Sequence, residues 1–227
     1  MRSFGVVESK VFETEFFMEK IENCMEYSEC SFYLSAFLSA SRSITFALQS
    51  SMSDVVGFTE WYLTQQEKMQ KSQLCNFFKL ARNESQKIGV CHITGGSCRK
   101  KEDGTLVIKH YLHSFIEENG SISRPPEELK EHDLYSLCKM HFLFLLEIVH
   151  DCFQSFGPII DPAQYYTLEN MKKLGKTIED IEESMGFPRG WTSLGGNDES
   201  SSELRMKMLR SEQPQFPMHL LFSKYLQ

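Results

Sequence analysis

The chain has 227 residues, 24 Lys and Arg against 31 Asp and Glu for a formal charge of -7, and a hydrophobic share of 41% that includes 18 Phe, 11 Met and 8 Tyr. That apolar content exceeds what a disordered chain carries and provides for a core rich in Phe and Met. The acidic balance argues against coating nucleic acid through bulk charge, because phosphate binding is driven by Lys and Arg.

The N-terminal segment carries Glu8, Lys10, Glu13 and Glu15 and no uninterrupted apolar run. No secretory signal is expected, and the location expected is the cytoplasm. Cysteine is odd in number at 7, and Cys24, Cys30, Cys75, Cys138 and Cys152 mostly fall inside helical patterns, where thiols behave as small core residues. No disulfide framework is implied.

Residues 9 to 27 repeat Phe12, Phe16, Phe17, Ile21, Cys24 and Met25 at three- and four-residue steps among acidic positions, the pattern of an amphipathic helix. A second helix, over residues 31 to 51, places Phe37, Ala40, Ile44 and Leu48 on one stripe, and its alanines permit close approach by neighbours. Ser53 or Asp54 is suited to cap a third helix that turns Phe58, Trp61, Tyr62 and Met69 inward and leaves Gln65, Gln66, Glu67 and Lys68 to solvent. The fourth, over residues 73 to 87, buries Leu74, Phe77, Phe78 and Ala81 and ends at Gly89. Four helices with short connections predict an antiparallel up-and-down bundle.

After Gly89 the period changes to two, first around Val90, His92 and Thr94 and again from Thr105 to Tyr111. Two strands are expected, joined by a polar loop from Gly95 to Gly104 that ends in Asp-Gly. Residues 117 to 132 contain Gly120 and Pro125-Pro126 and read as a connector. A long helix over residues 133 to 156 follows, with Leu134, Leu137, Cys138, His141, Leu145, Ile148 and Cys152 in one stripe and apolar residues on its other faces. Its most apolar run, Phe142 to Val149, is far short of the roughly 20 residues that cross a bilayer, so no membrane association is expected. A helix over residues 167 to 185 aligns Met171, Leu174, Ile178, Ile181 and Met185. The Gly- and Ser-rich stretch from Gly190 to Ser202 reads as a linker, residues 203 to 210 as a short helix, and Met218 to Phe222 as a segment that docks on the body or on a partner. The expected organisation is residues 1–160 as a helical bundle with a β-hairpin insertion at about 89–113, and residues 161–227 as a C-terminal helical extension.

Three segments carry a family resemblance: Phe32 to Ser43 with Arg42, Phe58 to Tyr62, and Phe77 to Lys87 with Arg82 followed by Asn83 near a helix end. Over residues 9 to 92 the chain resembles the HEPN superfamily of helical-bundle proteins, in which an Arg and a polar residue precede a His by a few positions. The resemblance implies a mainly α, HEPN-like four-helix bundle that pairs into a homodimer with the two motifs facing each other. In active members it implies metal-independent RNA cleavage. An Arg clamps a scissile phosphate bidentately, and a His near its ordinary pKa moves protons at neutral pH.

Arg82 and Asn83 match this motif, whereas Gln86 and Lys87 stand where the His is expected, and His92 lies past the helix end. Arg82, Asn83, Lys87 and His92 are therefore the candidates for chemistry, and Arg42, Arg82 and Asn83 those for holding RNA or a protein partner. Three readings compete. One is a catalytically degenerate module that binds RNA or protein, another an RNase that uses His92 or Lys87 as its base, and the third a structural or oligomerisation protein. In the structural reading Arg82 and Asn83 cap the helix or pair with a carboxylate such as Glu60, and Arg42 forms an internal ion pair.

Cys91, Cys98 and His110, with His92 and His113 nearby, are the right donor types for zinc, but the spacing is no recognised knuckle, and neighbouring strand residues point to opposite faces. Arg99-Lys100-Lys101 is followed at once by Glu102 and Asp103 and reads as a solvated turn. Neither a nucleophile elbow nor a phosphate-cradling glycine loop is present, and no cofactor is implied.

Overall fold

The computed structural model of the protein describes residues 1–89, 92–104, 106–112, 115–116, 122–123, 129–191, 199–212 and 218–226. Among the described residues the fold is mainly α, with a small antiparallel two-stranded sheet. It divides into two compact units: residues 5–148, and residues 1–4 with 149–227. The division falls inside a helix, where sequence reading set it at residue 160.

In the first unit, α1 (Gly5–Glu22) packs along α2 (Tyr27–Met52). The buried residues of α1 are Val7, Val11, Thr14, Glu15, Met18 and Ile21; of the stripe expected from periodicity Ile21 and Cys24 are buried, whereas Phe16 stays 51% exposed. Both faces repeat at helical spacing, and only contact with α2 chooses between them. In α2 the expected Phe37, Ala40, Ile44 and Leu48 are all buried.

Helix α3 (Phe58–Lys71) begins after Gly57, whose φ of 82° needs no side chain, so neither Ser53 nor Asp54 caps it. Gln65, expected in solvent, is only 3% exposed. Helix α4 (Gln73–Ile88) starts at Ser72, whose side chain accepts from the Cys75 N–H, and ends at Gly89 in the left-handed region with φ 66°. It rests against α2 and α3.

Strands β1 (Ile93–Lys100) and β2 (Leu106–Leu112) pair antiparallel, with an irregularity between Ile93 and Gly95. Gly95 to Lys100, expected as loop, is strand, and the turn narrows to residues 101–104, where the Gly104 N–H donates to the Lys101 carbonyl. Gly, Ser and Cys carry no alternating pattern of their own; the ladder with β2 supplies the register. The Tyr27 hydroxyl donates to the Ile93 carbonyl at 2.7 Å, and His110 Nε2 lies 3.2 Å from the Cys24 carbonyl, so the hairpin is tied to the α1–α2 connection. Two-residue strands β3 (Phe115–Ile116) and β4 (Ile122–Ser123) pair with each other.

Helix α5 (Leu134–Ile160) starts where Asp133 Oδ1 accepts from the Ser136 N–H, and it buries every residue of the stripe expected for it. It continues past Phe156 through Pro158. By length and composition it is the one helix among the described residues long and apolar enough to cross a membrane. The eight-residue run read from sequence understated that length.

The second unit holds the C-terminal half of α5 with α6 (Pro162–Tyr165), α7 (Leu168–Leu174), α8 (Ile178–Ser184), α9 (Glu199–Glu212) and α10 (Met218–Tyr225). The single helix expected over residues 167–185 is broken by Gly175 at φ 64°, after which Thr177 and Asp180 form a reciprocal capping box that starts α8. A core of Tyr165, Tyr166, Met171, Ile181 and Met206 forms behind the break. Helix α9 begins inside the expected linker, whose residues 192–198 lie outside the described ones. Phe222 of α10 packs edge-on against Phe153 and His150, which realises the docking expected for residues 218–222 within this unit.

Candidate functional site

Within the unit of residues 5–148, four helices turn polar side chains toward one cavity of about 170 Å³. The spacing of its lining is helical on every wall: Ser41, Arg42, Thr45 and Gln49 from α2; Tyr62, Gln66, Met69 and Gln70 from α3; Cys75, Phe78, Lys79, Arg82 and Asn83 from α4; His141 and Leu145 from α5. Residues i, i+3, i+4 and i+7 share a helix face, so each helix contributes one narrow stripe.

Arg42, Lys79 and Arg82 therefore face the same space, and no Asp or Glu lines it. Among the described residues neither arginine is in an ion pair. The Arg42 guanidinium sits 4.4 Å over the Phe46 ring, and its Nη1 donates to Thr45 Oγ1 at 3.2 Å. The internal ion pair expected for Arg42 is thus replaced by a ring face. Arg82 Nη1 donates to Asn83 Oδ1 at 3.4 Å, while Arg82 Nε is buried without a hydrogen-bond partner. Nor does Arg82 pair with Glu60, which is exposed, and the helix end is closed by Gly89.

The back wall is aromatic. His141 stacks on Phe78 with ring centroids 4.3 Å apart and planes 1° from parallel, Phe37 meets both rings edge-on, and Cys75 Sγ lies 3.9 Å from His141 Nδ1. Burial drives the His141 pKa down to about 3, so the imidazole is neutral, and burial pushes the Cys75 thiol up. Opposite, Gln49 Nε2 donates to the Tyr62 hydroxyl at 2.9 Å, which fixes the α2–α3 wall.

The other sequence candidates do not join this cavity. His92, 3% exposed, lies 2.8 Å through Nε2 from the Ala81 carbonyl, which makes Nε2 the donor and leaves Nδ1 3.8 Å from Glu84 Oε2. It lines a separate depression with Ser31, Ser35 and Ser85. Desolvation lowers its pKa. Lys87 is exposed in the last turn of α4. Gln86 donates through Nε2 to Ser39 Oγ at 2.8 Å and ties α4 to α2.

Among the described residues no group of three or more His, Cys, Asp or Glu is placed to hold a metal ion. His110 is engaged with the Cys24 carbonyl and Cys98 is exposed on β1, while Cys91 and His113 lie outside the described residues. The basic hairpin residues Arg99, Lys100 and Lys101 are all exposed, but Arg99 and Lys100 belong to β1 and only Lys101 falls in the solvated turn expected for all three.

Sequence reading missed Tyr62, Gln66, Lys79 and His141 as companions of the two arginines. A signal was present, because Ser41, Arg42, Thr45 and Gln49 form a polar stripe on a helix that otherwise buries apolar residues. It was legible as a stripe, but not as facing the stripe that holds Arg82.

The family model of bacteriophage lambda protein ea47 matches residues 16–120, a little under half of the chain. The chain is similar to that family over a stretch that holds the whole cavity lining except His141 and Leu145. No curated protein and no solved structure gives a significant match.

Proposed function

We propose that this protein is a HEPN-like, catalytically degenerate helical-bundle module that binds the phosphate of RNA in the cavity between α2, α3, α4 and α5, acting as a cytoplasmic homodimer. The observation that carries this reading is the pair Arg42 and Arg82 lining one cavity with Lys79 and no carboxylate. Bringing cations together without counter-charges costs stability, and a bound anion offsets that cost. Guanidinium groups suit phosphate because their donors match its oxygens in pairs. Asn83, Gln66 and Asn76 add neutral amide donors on the same walls.

Binding without cleavage follows from the bases available. His141 is the histidine lining the cavity, and a group with pKa about 3 holds an abstracted proton too weakly to serve as a general base at neutral pH. His92 is engaged at the Ala81 carbonyl and does not line the cavity, and Lys87 faces solvent.

The test is fluorescence anisotropy of a labelled single-stranded RNA at several salt concentrations, with chelator present and RNA length followed on gels. Affinity that falls with salt, drops in Arg42→Ala and Arg82→Ala, and leaves the RNA intact is the expected result. Chelator-resistant cleavage that vanishes in Arg82→Ala would instead make the protein an RNase. Binding indifferent to both arginines leaves them a structural role only. Sedimentation of the full chain checks the dimer.

A further inference from the structure

We infer that the cavity takes the end of a chain, a terminal phosphomonoester, rather than a phosphodiester within one. This inference rests on the RNA-binding reading and narrows it to a substrate class.

Charge is the first support. Three cations, Arg42, Lys79 and Arg82, line the space with no carboxylate among its walls. A phosphodiester brings one negative charge and two terminal oxygens, whereas a phosphomonoester brings about -1.5 to -2 at neutral pH and three acceptor oxygens. The richer anion matches the three cations and uses more of their donors.

Depth is the second. Arg82 Nε is buried and has no hydrogen-bond partner, although its neighbour Nη1 reaches Asn83. A buried donor left unpaired is costly, and an anion held beside the same guanidinium offsets part of that cost. The space the guanidinium lines is about 170 Å³. An internal phosphodiester carries a nucleoside on each side, and both would have to enter with it; a terminal phosphate brings one.

The third support is the arrangement of neutral groups. Gln66 and Asn76 line the cavity with the arginines, and the Tyr62 hydroxyl is held by Gln49. Uncharged donors and acceptors of this kind suit the sugar and base that follow a terminal phosphate.

The experiment uses the full chain and four probes: a short RNA with a 5′-phosphate, the same RNA with a 5′-hydroxyl, the same RNA with a 3′-phosphate, and adenosine monophosphate as competitor. Binding at one or both phosphate-ended RNAs at least about tenfold tighter than to the hydroxyl-ended RNA is the expected result, about the effect of one charge-assisted hydrogen bond. The preference should collapse toward unity in Arg82→Ala and be partly kept in Arg82→Lys. Should Arg82→Ala fail to fold by circular dichroism, Arg42→Ala supplies the same comparison.

Equal binding of all RNAs, still dependent on the arginines, overturns the end-specific inference while the RNA-binding reading stands. Arginine-dependent binding of adenosine monophosphate without any RNA binding keeps the phosphomonoester, assigns it to a free nucleotide and removes the RNA reading. Absence of any arginine-dependent binding removes both.

Discussion

Helix α4 borders two polar spots of opposite character. Toward α2 and α3, Arg42, Lys79 and Arg82 share a cavity without a carboxylate, and one buried guanidinium nitrogen lacks a partner. Toward the hairpin, His92 is fixed on the Ala81 carbonyl beside Glu84. Near the hairpin a histidine donor meets a backbone carbonyl of the fold, whereas in the cavity three cations share a space with neutral acceptors and no carboxylate.

The sharpest way to break that contrast is to remove the cations together. Arg42→Ala with Arg82→Ala should weaken RNA binding by about two to four orders of magnitude, since each hydrogen bond to a charged group is worth about 1.5–3 kcal/mol. Thermal stability should hold or rise, because mutually repelling like charges are removed; a large drop in melting temperature would place the arginines in the structural role.

Next comes acid. A histidine whose folded pKa is depressed to about 3 stays neutral in the fold while its unfolded counterpart takes up a proton below about pH 6.5, so stability is full above that pH and lost as pH falls toward 3. By pH 5 the loss assigned to His141 is about 2 kcal/mol. Urea titrations from pH 7.5 to 5 should show that slope flattened in His141→Gln, and an unchanged slope would contradict the burial of this ring. His92 adds in the same direction, because its pKa is also lowered.

On the hairpin side, His92→Ala should cost about 1–3 kcal/mol of stability through the lost bond to Ala81 and leave RNA affinity unaltered. A matching loss of affinity would merge the two spots into one site. The smallest effect belongs to the helix end they share. Gly89→Ala meets no atom within 4 Å, so its cost is conformational alone, about 1 kcal/mol for a side chain at φ 66°, read from the denaturation midpoint.

Where local chemistry is decisive, sequence reading and structure agree. Gly89 ends α4, the α5 stripe from Leu134 to Cys152 is buried, and Asp103-Gly104 lies in the hairpin turn. Where two local solutions were equally good, they part. Helix α1 has two apolar faces at the same period, and contact with α2 buries the valines and Met18 instead of Phe16. The apolar pattern of residues 167–185 is continuous, yet Gly175 and the Thr177–Asp180 box are local signals strong enough to break it. Gln65 looked like surface because it sits among Gln66, Glu67 and Lys68, but its position on the helix wheel follows Phe58 and Tyr62 inward.

The candidate site was legible in its two arginines and in Asn83, and illegible in their company. Lys79 and Arg82 are one turn apart on α4, a fact of spacing alone. That they face Arg42, Tyr62 and His141, and that His92 is held elsewhere, depends on how four helices are rotated about their axes. By itself the sequence determined most of the helices, the glycine that ends α4 and the cations each helix carries, because these follow from interactions within about four residues. The tertiary structure decided which faces meet, since that choice is made by packing between segments tens of residues apart, and packing is what leaves three positive charges around one space with no negative one among them.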